Sequence, residues 1–518
     1  MKRNVFKVIG GFALTAALAV GCTDLEISET DSIFEEGGTG EFTGVEDPAS
    51  AVTNLFNDLN ALGDQANFFA LQEVSTDEQL VPTRGTDWGD NGIWRTLHAH
   101  TWDAAHQYVL NTWNNWNQGI FRASEIIDPR SDATAEQVAQ AKFVRAIRVW
   151  GVLDLYGQVP FREVDEGPDV NPRVLTRQEA VDLILSDLDD AIADLPTVSA
   201  GSVDLQNRGS KAAARFMKAK VLLNKHIYLQ QAQPEGADMN EVISLVDAIE
   251  GDGYALEDDY FGIFAPEADN ETIFWLQTAV GNRIWNGMHY NIVSPDNAGG
   301  GWNGFSTLAE FYDLFEGDPN SNFVGDGQEE RRGFVPDASN AGPNNFGIGY
   351  GFLIGQQYAE DGTPLTTRPG APLTFTRDFP GLVGNTEETG IRVIKYHPVD
   401  GGSFRNHEIF FRFADAYLMR SEARWYLGTD ITAEINTLRA TREASPLGSV
   451  GAGELLAERG RELYVEFWRR NDLIRFGQFT ADWEFKDPGA VGDANLNVYP
   501  IPSQALLGNP NLTQNPGY

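Results

Sequence analysis

The chain has a single cysteine, Cys22, among its 518 residues. No disulfide can form within it, so a fold of this length must be held by its core and its polar contacts. Basic residues are scarce as well: 38 Lys+Arg stand against 75 Asp+Glu, a formal net charge of −37. A field of that sign repels phosphate backbones and anionic lipid, which argues against nucleic acid and anionic membrane surfaces as partners. A membrane-spanning helix is missing too, because the apolar run from Val8 to Val20 is too short to cross a bilayer comfortably. Phosphate-loop, zinc-ligand and Ser-His-Asp signatures are absent, and no cofactor is implied. What is abundant is apolar and aromatic: 42% hydrophobic and 11% aromatic residues are ample for a sizeable core.

The Val8–Val20 run follows Lys2 and Arg3 and closes in Leu18-Ala19-Val20-Gly21-Cys22. That order is a secretory signal ending in a bacterial lipobox, with Ala19 where leucine is usual. It predicts residues 1–21 as a lipoprotein signal peptide, acylation of Cys22, and a tether over residues 22–45 rich in Gly, Thr and acids. A plain secretory peptide would leave Cys22 unexplained in an oxidising compartment. Asp24, Glu26, Glu29 and Asp31 resemble the signal that sends some Gram-negative lipoproteins to the outer face of the cell. The membrane would then hold this chain through a lipid anchor only.

From residue 46 helical patterns dominate. Thr134-Ala-Glu-Gln137 and Thr176-Arg-Gln-Glu179 are capping boxes that open amphipathic runs, closed by Gly157 and by Pro196. Residues 210–229 give a further helix, and residues 408–428 and ELLAERGRELYVEFWRRNDLIRFG read as later ones. In the last of these, Glu466 and Arg470 stand four apart as a helical ion pair would. Residues 251–405 are rich in Gly, Asn and Pro, with short β-like runs such as ETIFWLQ and IRVIKY. The expectation is a mostly α protein: helix pairs as a scaffold over about 46–250 and 406–518, and a loop-rich lobe over about 251–405.

The stretch 71–116 holds Trp88, Trp94, Trp102, Trp113 and Trp116. Glycines at 85, 89 and 92 break the helical pattern around the first two, which places those indoles on a loop. Sugar rings stack their apolar faces on aromatic planes, and their hydroxyls suit carboxylate, amide and guanidinium groups. Asp77, Glu78, Arg84, Asp87, Asp90 and Asn91 offer that chemistry beside Trp88 and Trp94, whereas Trp113 and Trp116 sit at core spacing. His98-Ala-His100 invites a metal reading, but it matches no known ligand spacing. Further on, Trp285, Tyr290, Trp302, Tyr350 and Phe352 stand amid Gly and Asn, with Arg283, Asn286 and Asn303 close by. Trp302 and Tyr350 are the second pair of ligand candidates. Asp318–Glu329 carries oxygens at calcium-loop positions but has Phe323 in place of the required glycine, and reads as an acidic turn.

Four blocks resemble one family. AKFVRAIRVWGVLDLYGQVPF, FRFADAYLMRSEA, GRELYVEFWRRNDLIRFG and the tail YPIP…NPNLTQNPGY are similar, in order, to segments of the SusD/RagB surface glycan-binding lipoproteins. The resemblance implies a tetratricopeptide-like helical scaffold with a loop-rich ligand lobe at the outer membrane. It also implies capture of oligosaccharides, without catalysis, for a SusC-like TonB-dependent transporter, and places ligand contacts in the early aromatic loop. Two other functions stay open at this point: a surface glycoside hydrolase, and capture of peptides, as some family members do.

Overall fold

The computed structural model describes residues 42–518 apart from 168, 279, 296–297 and 399–406. Cys22 and the expected signal peptide lie outside the described residues. Eight helices come first: α1 (Pro48–Leu59), α2 (Asn67–Glu73), α3 (Ile93–His98), α4 (Gln107–Ile127), α5 (Ala135–Tyr156), α6 (Arg177–Asp194), α7 (Lys211–Tyr228) and α8 (Gly236–Gly251). Their ends follow from local chemistry. Thr134 with Gln137 and Thr176 with Glu179 close reciprocal capping boxes at the starts of α5 and α6. Gly157, at φ 69°, ends α5 in the left-handed conformation that glycine adopts without strain. Helices α4 to α8 pack each on the next, as helix pairs in tetratricopeptide-like series. Helix α5 is buried along most of its length, with Trp150 fully buried.

The middle of the chain is loop, threaded by short strands. β1 (Val159–Phe161) pairs with β2 (Arg173–Leu175), and β3 (Thr272–Leu276) pairs antiparallel with β9 (Glu408–Arg412). β4 (Gly333–Phe334), β5 (Tyr350–Leu353) and β8 (Arg392–Ile394) form a three-stranded sheet. β6 (Gly355–Gln356) pairs with β7 (Thr374–Phe375). Helices α9 (Gly281–Trp285) and α10 (Ala309–Tyr312) are short, and α11 (Phe413–Tyr426) returns to the scaffold and packs on α8. Then come α12 (Thr432–Thr441), α13 (Ala452–Leu463), α14 (Arg469–Arg475) and α15 (Ser503–Gly508).

Two expected helices are interrupted. In 408–428 the segment EIFFR is a fully buried strand and only the remainder is helical, because pairing with β3 outweighs helical periodicity. The ELLAERGRELYVEFWRRNDLIRFG run breaks between α13 and α14, where Val465 (φ 60°) and Phe467 (φ 75°) are left-handed. Side chains satisfy the backbone freed by that break. The Glu78 carboxylate accepts from the Val465 N–H. Lys395 Nζ donates to the Glu462 and Tyr464 carbonyls at 3.1 and 2.9 Å. Glu466 therefore pairs with Lys395 and Arg412, and Arg470 with Asp154 at 2.8 Å, rather than with each other.

Beneath the loops lies a buried ionic lattice. Glu462 accepts ion pairs from Arg331, Arg412 and Arg442 at 3.2, 2.8 and 3.0 Å, and Glu271 joins Arg412 and Arg442 at 2.8 and 2.7 Å. None of these side chains is more than 1% exposed. Charges so far from water are tolerated only because each has several charged partners. Lys395 fixes the end of β8 to this lattice, and so ties β8 to the helices behind it.

Candidate functional site

Arg84 and Asp87 exchange backbone hydrogen bonds at 3.1 and 3.0 Å across Gly85-Thr86. Gly85 (φ 59°) supplies the left-handed first position that such a two-residue turn requires. The backbone is left-handed again at Trp88 (φ 60°) and Asn91 (φ 51°), which is strained for tryptophan. Arg95 holds it there, its guanidinium donating to the Trp88 and Gly89 carbonyls at 3.1 and 2.9 Å. The Trp88 ring rests on Gly304, where any Cβ would come within 2.3 Å of it. Its Nε1–H donates to the Trp302 carbonyl at 2.9 Å.

Trp302 is one of the few large apolar side chains that reach solvent, at 36% exposure. Its ring leans on Trp285, centroids 5.2 Å apart at 57°, and its N–H donates to the Trp285 carbonyl at 2.7 Å. The next residue, Asn303, is fully buried at φ 53°. Its amide donates to the Glu387 carbonyl at 2.9 Å, and its Oδ1 accepts from Arg392 Nε and Nη2 at 2.9 and 2.8 Å. Trp302 is thus held from both sides on a frame that β8 ties to the core.

Beside the indoles stands a polar cluster. Tyr290 Oη donates to Asp87 Oδ2 at 2.7 Å, and Arg368 Nη2 reaches the same oxygen at 2.8 Å. The Arg368 guanidinium lies 3.8 Å over the Tyr290 ring and donates to Glu387 at 2.5 Å. Hydrogen bonds from Tyr290, opposed by partial burial and reinforced by Arg368, hold Asp87 below the usual carboxylate range. Burial alone would raise Glu387, but donation from the Arg368 backbone and guanidinium and from His289 holds it below its ordinary value. Burial pulls His289 down to about 4, so at neutral pH its imidazole is uncharged. Two open grooves flank this cluster. One, of about 600 Å³, is lined by Asp87, Thr367, Arg368, Asn385 and Glu387. The other, of about 650 Å³, is lined by Asn291, Val293, Phe346, Tyr358 and Leu365. An aromatic ledge with polar groups in fixed positions along a trough suits an extended ligand with apolar faces and many hydroxyls.

Several expected contacts lie elsewhere. Asp77 is clamped by Arg469 at 2.7 and 2.5 Å. Glu78 is buried behind Val465, and burial raises its carboxyl to about 7. Arg84 is 2% exposed, donating to the Thr386 and Thr389 carbonyls and to Ser306 Oγ. Trp94 is 2% exposed on α3 rather than on a loop, its Nε1–H given to Asp90 at 3.0 Å. Each of the four is engaged by partners inside the protein; Glu78, Arg84 and Trp94 are buried and Asp77 is half-buried. Asn91 is exposed. Tyr350 belongs to a different aromatic set, stacked on His397 at 4.0 Å and 16°. Trp88, Asp87 and Trp302 do come together.

The three histidines of this stretch bond backbone carbonyls. His98 bonds the Gln79 and Glu484 carbonyls, His100 the Ser75 carbonyl and His106 the Ile93 carbonyl. In the acidic turn, Asp326 accepts from Ser321 and Phe323 while Glu329 pairs with Arg331. No cluster of three or more His, Cys, Asp or Glu side chains is placed to hold a metal among the described residues. Sequence reasoning missed Arg368, Glu387 and the part played by Gly304. Arg368 sits in a Pro-Gly turn with no local motif, and only the fold brings it to Asp87.

The comparisons fit this architecture. Residues 270–518 match the SusD family, and residues 47–223 match the family described as starch-binding, associating with outer membrane. The starch-binding protein SusD of Bacteroides thetaiotaomicron is 27% identical over the whole of both chains. A SusD-like protein, P38, of Formosa agariphila is 24% identical, over 78% of this chain and 79% of its own. A solved SusD-like protein of Bacteroides fragilis superposes with a TM-score of 0.69 at 19% identity, covering 91% of this chain and 98% of its own. A laminarin-binding SusD-like protein does so at 0.66 and 19%, covering 92% and 100%. With matches to both halves of the sequence, a full-length relative and one shared fold, the chain belongs to the SusD family.

Proposed function

We propose that this protein captures oligosaccharides at the outer face of the outer membrane, held there by a lipid on Cys22, and passes them to a SusC-like TonB-dependent transporter without chemical change. The observation that carries the reading is Trp302. It is a solvent-reaching indole paired with Trp285 and fixed through Asn303 and Trp88, beside the Asp87–Tyr290–Arg368 cluster. A rigid aromatic ledge binds sugar rings at little cost in ordering. Relatives named for starch, laminarin and xylogluco-oligosaccharide support a glycan as ligand.

The cluster's carboxylates suit binding better than hydrolysis. A glycosidase acid must hold its proton near neutral pH. Asp87 and Glu387 are instead both held below the usual range and committed to Arg368.

Affinity electrophoresis in gels containing starch, laminarin or xyloglucan tests the capture. The wild-type chain is retarded by at least one of them, and Trp302→Ala loses about tenfold or more in affinity with its unfolding transition unchanged. Release of reducing ends from any of these glycans would overturn the non-catalytic reading, and retention on protein digests alone would overturn the ligand class. Cys22→Ser abolishes incorporation of labelled fatty acid, and the full-length protein co-purifies from membranes with a TonB-dependent transporter.

A further inference from the structure

Helix α4 carries a feature that the aromatic ledge does not use. Asn111, Asn114, Asn115 and Gln118 follow i, i+3, i+4, i+7 spacing and share one face. Asparagine suits a helix interior poorly, since its amide competes with the backbone for hydrogen bonds. Four of them between residues 111 and 117 are therefore not explained by helix formation. Asn67, at the start of α2, stands beside them on a groove of about 570 Å³, beneath which Phe68 and Trp116 are buried with ring centroids 4.7 Å apart. No lining residue is charged, in a chain with 75 acidic residues.

The amides keep free capacity. Asn111 Nδ2 donates to Asn67 Oδ1 at 3.1 Å, which leaves the Asn111 oxygen and the Asn67 amine for another partner. Asn117 donates to the Trp113 carbonyl at 2.9 Å, and its buried Oδ1 has no hydrogen-bond partner among the described residues. The Asn115 oxygen is taken by Arg148, so its amine is the part left to the groove. Arg148 is fully buried, and its Nε and Nη2 lack hydrogen-bond partners among the described residues. Burial lowers its guanidinium only to about 10, so at neutral pH it is a cation behind Asn115. That charge polarises the Asn115 amide toward donation outward.

We infer that this groove on α4 is a second binding site, separate from the Trp302 ledge, for a neutral polyhydroxylated ligand such as an uncharged oligosaccharide. Amides pair donor and acceptor with adjacent hydroxyls, and an uncharged lining gives no counter-ion to a uronate, a sulfate or a cation. That the natural ligand is a glycan rests on the reading above, but none of the ledge residues enters the groove.

Isothermal titration with maltoheptaose, laminarihexaose and a xyloglucan heptasaccharide separates the two. Four proteins are compared: wild type, Trp302→Ala, a triple variant with Asn111→Ala, Asn114→Ala and Gln118→Ala, and the combination. The three amides are exposed, so their loss leaves the fold intact. Two binding events are expected for the wild type and one for each variant, the triple variant weakening the groove event about tenfold or more. No binding is expected for the combination. If Trp302→Ala removes all binding and the triple variant none, the groove is overturned and the ledge stands. If the triple variant alone removes binding, the groove stands and the ledge is overturned. Absence of binding by the wild type overturns both, and an effect of the triple variant confined to transporter association overturns the sugar site.

Discussion

Gly304→Ala tests whether the aromatic ledge is held as described. Gly304 does not adopt a positive φ, so the backbone admits alanine. The added Cβ, however, would lie 2.3, 2.4 and 2.8 Å from three atoms of the Trp88 indole, where carbon atoms prefer about 3.5–4.0 Å. The ring must retreat by about 1 Å or more. Phe305 and Trp94 pack edge-on against it at 5.8 and 6.0 Å, so it can yield only toward solvent and forfeits its bond to the Trp302 carbonyl. Overpacking costs about 1–3 kcal/mol and the lost hydrogen bond about 1 kcal/mol. Across a unit spanning residues 43–518, unfolding entropy of about 2 cal/mol/K per residue turns that total into a Tm lower by about 2–4 °C. Calorimetry reads the shift, tryptophan fluorescence moves to the red, and glycan affinity falls about tenfold. Trp88→Ala removes the clash, so adding Gly304→Ala to it should cost little more. Strictly additive losses, or wild-type affinity in a protein whose Trp88 emission has shifted, would refute the account.

Three further outcomes follow from burial. Trp94→Ala, at a position 2% exposed, should lower stability by about 3–5 kcal/mol in urea, while the folded fraction binds glycan as before. Glu462→Ala takes the shared carboxylate from Arg331, Arg412 and Arg442, leaving three buried cations with fewer anions, and should cost about 3–5 kcal/mol; a loss under about 1 kcal/mol would mean that their remaining partners suffice to hold these charges. Burial raises Glu78 to about 7, above an unfolded value of about 4.3, so the folded state keeps a proton that the unfolded chain releases. The stability it contributes is therefore present below about pH 4.3 and is lost as pH rises through its folded value near 7. Glu78→Gln should flatten that part of the decline in urea titrations between about pH 5 and pH 8, and parallel slopes in the two proteins would count against it.

The scaffold was legible wherever local chemistry decides. The Thr134 and Thr176 boxes, Gly157 and the apolar spacing of α5 and α6 are written in neighbouring residues, and the helices begin and end there. Periodicity misled where a distant strand competed. EIFFR has helical spacing, yet β3 completes its backbone pairing at a register that no local pattern encodes. The break at Val465 is the same kind of case. A β-branched residue at φ 60° is intrinsically unfavourable, and it persists because Glu78, nearly four hundred positions earlier, accepts its N–H.

At the site, residue type does not by itself set position. The acidic and aromatic neighbours of Trp88 read as one ligand face, but a loop that turns at Gly85 and again at Gly92 sends their side chains to different sides. Trp88 and Asp87 emerge, while Arg84 and Trp94 go under. Which of them emerges depends on what waits beneath: Thr386, Thr389 and Ser306 for Arg84, Phe305 and Tyr108 for Trp94. Those partners lie on other segments of the chain, so burial here is a property of the tertiary frame. The same frame brings Arg368 to Tyr290 and Asp87, and that contact turns three ordinary loop residues into a fixed polar edge beside Trp302. A sequence can offer indoles and carboxylates to a ligand, but the frame chooses which of them are spent on holding the others in place.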